Sequence, residues 1–136
     1  MKILIVDDQF ENRKLLRDIL KKFGDCDLAS NGEEAMEFFE ADLDDGTPYD
    51  VVLLDIMMPG MDGQTALMKM RELENVRGIP SGKETKIIMV TAVDAPQQVI
   101  KAYFRGNCTD YLTKPITRKI LLDKLLEHGL PLSEES

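Results

Sequence analysis

Val51-Val52-Leu53-Leu54-Asp55, running into Ile56-Met57-Met58-Pro59-Gly60-Met61-Asp62-Gly63, is the stretch on which the fold turns. Four apolar residues in a row, bounded by aspartates at 50 and 55, read as a short strand buried on both faces. Met58-Pro59-Gly60 is a turn. Asp62 is then placed to cap a helix with Ala66, Met70 and Leu73 at i, i+4 and i+7. A buried strand passing through a turn into an amphipathic helix is the repeating unit of a parallel sheet.

The same unit recurs in both directions. Lys2–Asp7 is a first strand, and Leu16, Ile19, Leu20 and Phe23 mark one face of a helix that stops at Gly24. Asp25–Ser30 is a more polar second strand. Asn31-Gly32-Glu33-Glu34 opens a helix carrying Ala35, Met36, Phe38 and Phe39, which Asp44-Asp45-Gly46-Thr47-Pro48 closes. Beyond the third helix, 75–85 is a longer connection containing Gly78, Pro80 and Gly82. Its composition fits a tolerated surface insertion. Lys86–Thr91 is the fourth strand, Val99, Ala102, Tyr103 and Gly106 mark a fourth helix, Asn107–Leu112 is a short fifth strand, and Thr117–His128 is a last helix. Strict alternation implies right-handed crossovers: a doubly wound, five-stranded parallel α/β sheet with helices on both faces. The second and fifth strands, being more polar, belong at its edges. Residues 1–129 form one domain, and 130–136 an acidic C-terminal tail.

Composition narrows the function. The 136 residues carry 17 Lys+Arg against 25 Asp+Glu, a net charge of −8. Phosphate neutralisation needs the opposite balance, so nucleic acid and anionic membrane are poor partners. No apolar run approaches the roughly 20 residues that cross a bilayer, and the N-terminus has no signal-peptide pattern. Cys26 and Cys108 lie far apart, outside any metal-binding spacing, and fall on opposite sheet edges. Free thiols and a cytoplasmic location are the expectation.

Ligands of open parallel sheets bind beyond the carboxyl ends of the strands. There the sequence puts Asp7-Asp8, Asp55, Thr91 and Lys114. Crowded carboxylates raise each other's pKa unless a cation neutralises them. Hard, oxygen-seeking Mg²⁺ suits them and retains coordination positions for phosphate oxygens. Lys114 and Thr91 supply charge and a hydrogen bond to a phosphoryl group.

Ile5-Val6-Asp7-Asp8, Leu53 to Gly63, Met89-Val90-Thr91-Ala92 and Asp110-Tyr111-Leu112-Thr113-Lys114-Pro115 stand in order, each at a strand end. Across essentially the whole chain this resembles the receiver domain of two-component response regulators, of the chemotaxis-regulator type. The resemblance implies a flavodoxin-like strand order, 2-1-3-4-5. It implies that Asp55 accepts a phosphoryl group from a sensor histidine kinase. Mg²⁺ would be held by Asp8, Asp55, the backbone carbonyl of Met57 and, through water, Asp7. Lys114 would contact the phosphoryl oxygens, with Lys114-Pro115 cis, and Thr91 would hydrogen-bond one of them after transfer. Thr91 and Tyr111 would form the switch that alters a surface of fourth helix, fifth strand and last helix for a downstream protein target. Ile100 and Phe104 are candidate contacts on that surface. A stand-alone receiver, monomeric or dimerising on phosphorylation, is the expectation. The alternatives are a relay intermediate that passes the phosphoryl group to a histidine phosphotransfer protein, or a receiver-like module that binds partners without phosphorylation. A dehalogenase-type phosphohydrolase would need D-x-D after the first strand, where Asp7 is followed by Asp8 and Gln9.

Other acidic and polar features read as structural. Asp42-Leu43-Asp44-Asp45-Gly46 lacks the glycine and glutamate of a calcium loop, with Thr47 and Leu53 in their places. His128, the only histidine, ends the last helix, where it favours the dipole or is simply exposed. The methionines between Met57 and Met70 read as filling core and loop.

In receivers, the residues two after the phosphoacceptor and two after the threonine affect phosphoryl lifetime. Here they are Met57 and Val93, and neither can orient an attacking water. The phosphorylated protein should therefore hydrolyse slowly. A Met57→Asn/Val93→Glu variant, followed by intact mass over time, should lose its phosphoryl group faster than the parent.

Overall fold

The computed structural model describes residues 1–92 and 107–132. The fourth helix read from the sequence, with Val93, Ile100 and Phe104, lies outside the described residues. The elements described are β1 (Lys2–Val6), α1 (Phe10–Leu20), β2 (Asp25–Ala29), α2 (Gly32–Asp44), β3 (Val51–Asp55), α3 (Gly63–Val76), β4 (Lys86–Thr91), β5 (Asp110–Thr113) and α4 (Arg118–Glu127). The five strands form one all-parallel sheet in the order β2-β1-β3-β4-β5, as expected.

Alternation along the buried strands divides the core into two layers. Leu4, Val6, Val52, Leu54, Ile87 and Met89 face one way, onto Ala35 and Phe39 of α2 and Ala66, Leu67 and Met70 of α3. Ile3, Ile5, Val51, Leu53, Ile88 and Leu112 face the other way, onto Leu16, Ile19 and Leu20 of α1 and Leu121 and Leu125 of α4. The near-continuously apolar strands are the ones buried at the centre of the sheet.

The boundaries differ from the sequence reading where turns intervene. α1 ends at Leu20, because the Phe23 N–H turns back onto the Leu20 carbonyl at 2.9 Å and tucks the Phe23 ring into the core. α3 continues through Val76 and stops where Gly78 takes a φ of 73°. β5 begins at Asp110, since Asn107 has a φ of 56°, incompatible with extended backbone.

The connection after α3 is more than an insertion. Glu74, only 3% exposed, receives Arg71 Nη1 on Oε1 at 2.7 Å and the Thr85 N–H on Oε2 at 2.8 Å. Arg71 also donates to the carbonyls of Thr85 and Asn107, at 2.8 and 3.0 Å. This network fastens α3 to the segments entering β4 and β5. Glu74→Ala would leave the Arg71 guanidinium half-buried without its counter-ion, so urea unfolding should show a loss of about 3 kcal/mol or more.

Candidate functional site

Strand register brings the acidic residues together. Val6 lies opposite Leu54, so β1 and β3 end side by side and deliver Asp7 and Asp55 to neighbouring positions. Both carboxyls are buried, at 2% and 3% exposure, whereas Asp8 is exposed. One carboxylate oxygen from each of the three lies within 4.8 Å of the others. Lys114, following β5, places Nζ 3.4 Å from Asp55 Oδ2 and 3.5 Å from Asp7 Oδ2.

Local backbone contacts fix these side chains. Asp7 Oδ1 accepts the Gln9 N–H at 2.9 Å, and Arg13 Nη1 donates to the Asp7 carbonyl at 2.8 Å. Asp55 Oδ1 accepts the Met57 N–H at 3.2 Å, which leaves Oδ2 turned towards Lys114. The Lys114 N–H donates to the Thr91 carbonyl at 2.8 Å, tying the ends of β4 and β5 together. Thr91 is buried and its hydroxyl donates to the Ala92 carbonyl at 3.3 Å. The Lys114–Pro115 peptide is cis. Gly63 has a separate reason to be glycine: a Cβ there would fall 2.1 Å from the Asp55 carbonyl oxygen. The first residue of α3 therefore rests directly on the backbone of Asp55.

Burial first, and the neighbouring Asp7 carboxylate second, push Asp55 up to about 6, although Lys114 and the Met57 N–H pull the other way. An all-oxygen, mostly anionic donor set of this kind fits a hard divalent cation such as Mg²⁺ and offers nothing to a soft one. Beside the cluster, a cavity of about 540 Å³ runs under α1, lined by Asp7, Leu15, Leu16, Val90, Lys114 and Ile116.

Other residues singled out in the sequence lie elsewhere. Tyr111 stands on β5, partly exposed, and Met57 projects its side chain into solvent beside the cluster. Of the methionines read as filling, Met58 and Met70 are buried, while Met57 and Met68 are exposed. His128 has a partner that no local spacing could place: its Nε2 lies 2.7 Å from Asp110 Oδ2, at the start of β5. Lys124 Nζ reaches the same oxygen at 3.0 Å and Glu127 at 3.6 Å. Asp110, Glu127 and His128 also offer ligand atoms within 4.8 Å of one another, but the Lys124 ammonium already supplies a cation there.

The comparisons with known proteins agree with this geometry. The family model of the response regulator receiver domain matches residues 3–126, and the chain belongs to that family. It is 33% identical over 123 residues to hybrid signal transduction histidine kinase I of Dictyostelium discoideum, covering 90% of this chain and 7% of that protein. It is 38% identical over 124 residues to the transcriptional regulatory protein ResD of Bacillus subtilis, covering 89% and 45%. The chain therefore spans less than half the length of either relative. Among solved structures, it is similar to the receiver domain of the Saccharomyces cerevisiae response regulator Ssk1 in complex with the histidine phosphotransfer protein Ypd1. That match has a TM-score of 0.81 and 29% identity, covering 95% of this chain and 88% of that one. The CheX–CheY–BeF3–Mg²⁺ complex of Borrelia burgdorferi gives a TM-score of 0.79 and 29% identity, with 96% and 90% covered. This is a CheY-like receiver of two-component signalling. No helix among the described residues is long and apolar enough to cross a membrane.

The position of Asp55 has a consequence for stability. Its folded-state pKa lies above the usual aspartate value of about 4, so between about pH 4 and 6 Asp55 is protonated more in the folded chain than in the unfolded one. Stability contributed by the neutral acid is therefore lost as pH rises through that window, by an amount on the order of 2–3 kcal/mol. In metal-free buffer, Asp55→Asn should be more stable than the parent at pH 7, and the gain should disappear near pH 4. Urea unfolding at several pH values would measure it.

Proposed function

We propose that Asp55 is the phosphoacceptor of a two-component pathway and takes its phosphoryl group from a phosphohistidine on a sensor kinase. A carboxylate oxygen of Asp55 attacks phosphorus, the P–N bond breaks as the P–O bond forms, and the departing imidazole keeps the bonding pair and takes up a proton. One observation carries this reading: Asp7, Asp8 and Asp55 converge within 4.8 Å while Lys114 lies within reach of two of them. Asp8, Asp55 and the Met57 carbonyl would hold Mg²⁺ directly and Asp7 through water. Bound there, Mg²⁺ would offset the crowded negative charge and screen the incoming phosphoryl oxygens.

The protein's own groups do the rest. The Met57 N–H holds Asp55 Oδ1 in place, which orients the carboxylate. Lys114 is tethered by its backbone to Thr91 and presents its ammonium where charge accumulates. Asp55 is regenerated on hydrolysis, so the chain is a phosphoacceptor that assists its own chemistry and not a dedicated enzyme.

Phosphorylation adds about −1.5 to −2 charge. In this reading Thr91 turns its hydroxyl from the Ala92 carbonyl to the phosphoryl group, and Tyr111 moves inward on the same strand pair. The surface that would change is that of β5, α4 and the fourth helix expected from the sequence, and it would meet a downstream protein. Onward transfer to a histidine phosphotransfer protein is a second reading, favoured by the similarity to the receiver of Ssk1 in complex with Ypd1. The two unpaired cysteines, Cys26 and Cys108, favour a reducing, cytoplasmic setting.

Incubation with acetyl phosphate and Mg²⁺ should add one phosphoryl group by intact mass. Asp55→Asn or chelation of Mg²⁺ should abolish the addition, and Lys114→Ala should reduce it strongly. A folded parent that stays unmodified would reject the phosphoacceptor reading and leave a module that binds its partners without phosphorylation.

A further inference from the structure

Gly32 opens α2 without adopting a positive φ, so its backbone conformation does not call for glycine. Space does. A Cβ on Gly32 would lie 2.8 Å from both Cβ and the carbonyl oxygen of Met61 and 2.9 Å from Met61 Cγ. Carbon atoms in contact prefer about 3.5–4.0 Å, so a second chain segment lies where any side chain at 32 would have to go. That segment is the connection from β3 to α3, which contains Met57.

We propose that Gly32 is a positioning residue for the metal site. By leaving its face of α2 bare, it lets Met61 rest there and fixes the height of the 56–62 loop relative to Asp55. The proposal builds on the reading of Asp7, Asp8, Asp55 and the Met57 carbonyl as Mg²⁺ ligands.

Both sides of the contact are held. The start of α2 is locked by a pair of local bonds: Asn31 Oδ1 accepts the Glu34 N–H at 2.8 Å, and Glu34 Oε1 accepts the Ser30 N–H at 2.9 Å. The loop is closed at its base by the Gly63 N–H on the Ile56 carbonyl at 2.9 Å, and anchored by the buried side chains of Ile56 and Met58. Between these anchors its remaining support includes Met61 on Gly32. The loop also passes close to Glu33, whose Oε1 lies 3.6 Å from where a Cβ on Gly60 would sit.

A methyl group at position 32 would have to push Met61 outward by roughly 0.7 Å to reach ordinary contact distance. The Met57 backbone lies in the same loop, four residues before Met61. Mg²⁺ demands near-ideal octahedral geometry at about 2.0–2.1 Å, so a ligand carried on a displaced loop is held poorly. Gly32 touches none of the ligands and would act entirely through Met61 and the loop.

Calorimetric titration with Mg²⁺ alone, on the unphosphorylated chain, tests this. Gly32→Ala should bind Mg²⁺ about tenfold more weakly than the parent, the scale of effect expected of residues that support metal ligands. Gly32→Ala/Met61→Gly, which removes two of the three clashing atoms, should bind more tightly than Gly32→Ala alone. Glu37→Ala, on the same helix, should match the parent. Parental affinity in Gly32→Ala, or no recovery in the double variant, would overturn the proposal. Should Gly32→Ala fail to fold, Met61→Gly alone decides the matter. Folded and weaker for Mg²⁺ supports the proposal, and unchanged affinity overturns it. A parent that binds no Mg²⁺ at millimolar concentration would instead remove the metal-site reading itself, and this proposal with it.

Discussion

Two carboxyl groups are buried side by side in this protein, and much else in its structure follows from the need to tolerate them. Asp7 and Asp55 sit at the ends of adjacent central strands, where both are largely withdrawn from water. Among the described residues, Lys114 is the only ammonium set against both. Its position depends on β5 being fastened to β4 through the Thr91 carbonyl. Even so, burial keeps Asp55 reluctant to ionise. A site that is uncomfortable without a cation is well suited to taking one up.

The opposite end of the sheet handles its polar groups differently. There Glu74 and Arg71 form a closed network with Thr85 and backbone carbonyls, and among the described residues no buried side-chain nitrogen or oxygen lacks a partner. One end of the sheet is electrostatically satisfied by its own side chains. The other holds three carboxylates to one lysine. The functional end of a parallel sheet is set by strand direction. The difference in charge compensation follows the same polarity.

Glycines give the acidic end its dimensions. Gly63 brings the first turn of α3 onto the Asp55 backbone, and Gly32 admits Met61. Neither has a left-handed φ; each is small because another segment of chain comes very close. The 56–62 loop is thereby gripped from α3 and from α2, and the residue after Ile56 has its N–H aimed at the Asp55 carboxylate.

Sequence by itself determined the fold class, the parallel order of elements and the identity of the residues at the rim. It could do so because apolar runs of four and helical spacing are local patterns, and because an aspartate or lysine at a strand end is placed by the strand. Asp7, Asp8, Asp55, Thr91 and Lys114 were all legible in this way. Tertiary structure alone decided which groups meet. That Asp7 and Asp55 are both buried while Asp8 is exposed depends on the register of β1 against β3. That His128 finds Asp110, and that Glu74 receives the Thr85 N–H, depends on helices packing back against the sheet. The small size required at position 32 is likewise a property of close approach between segments distant in the chain. Those contacts join different elements, and no periodicity along one strand or one helix encodes them.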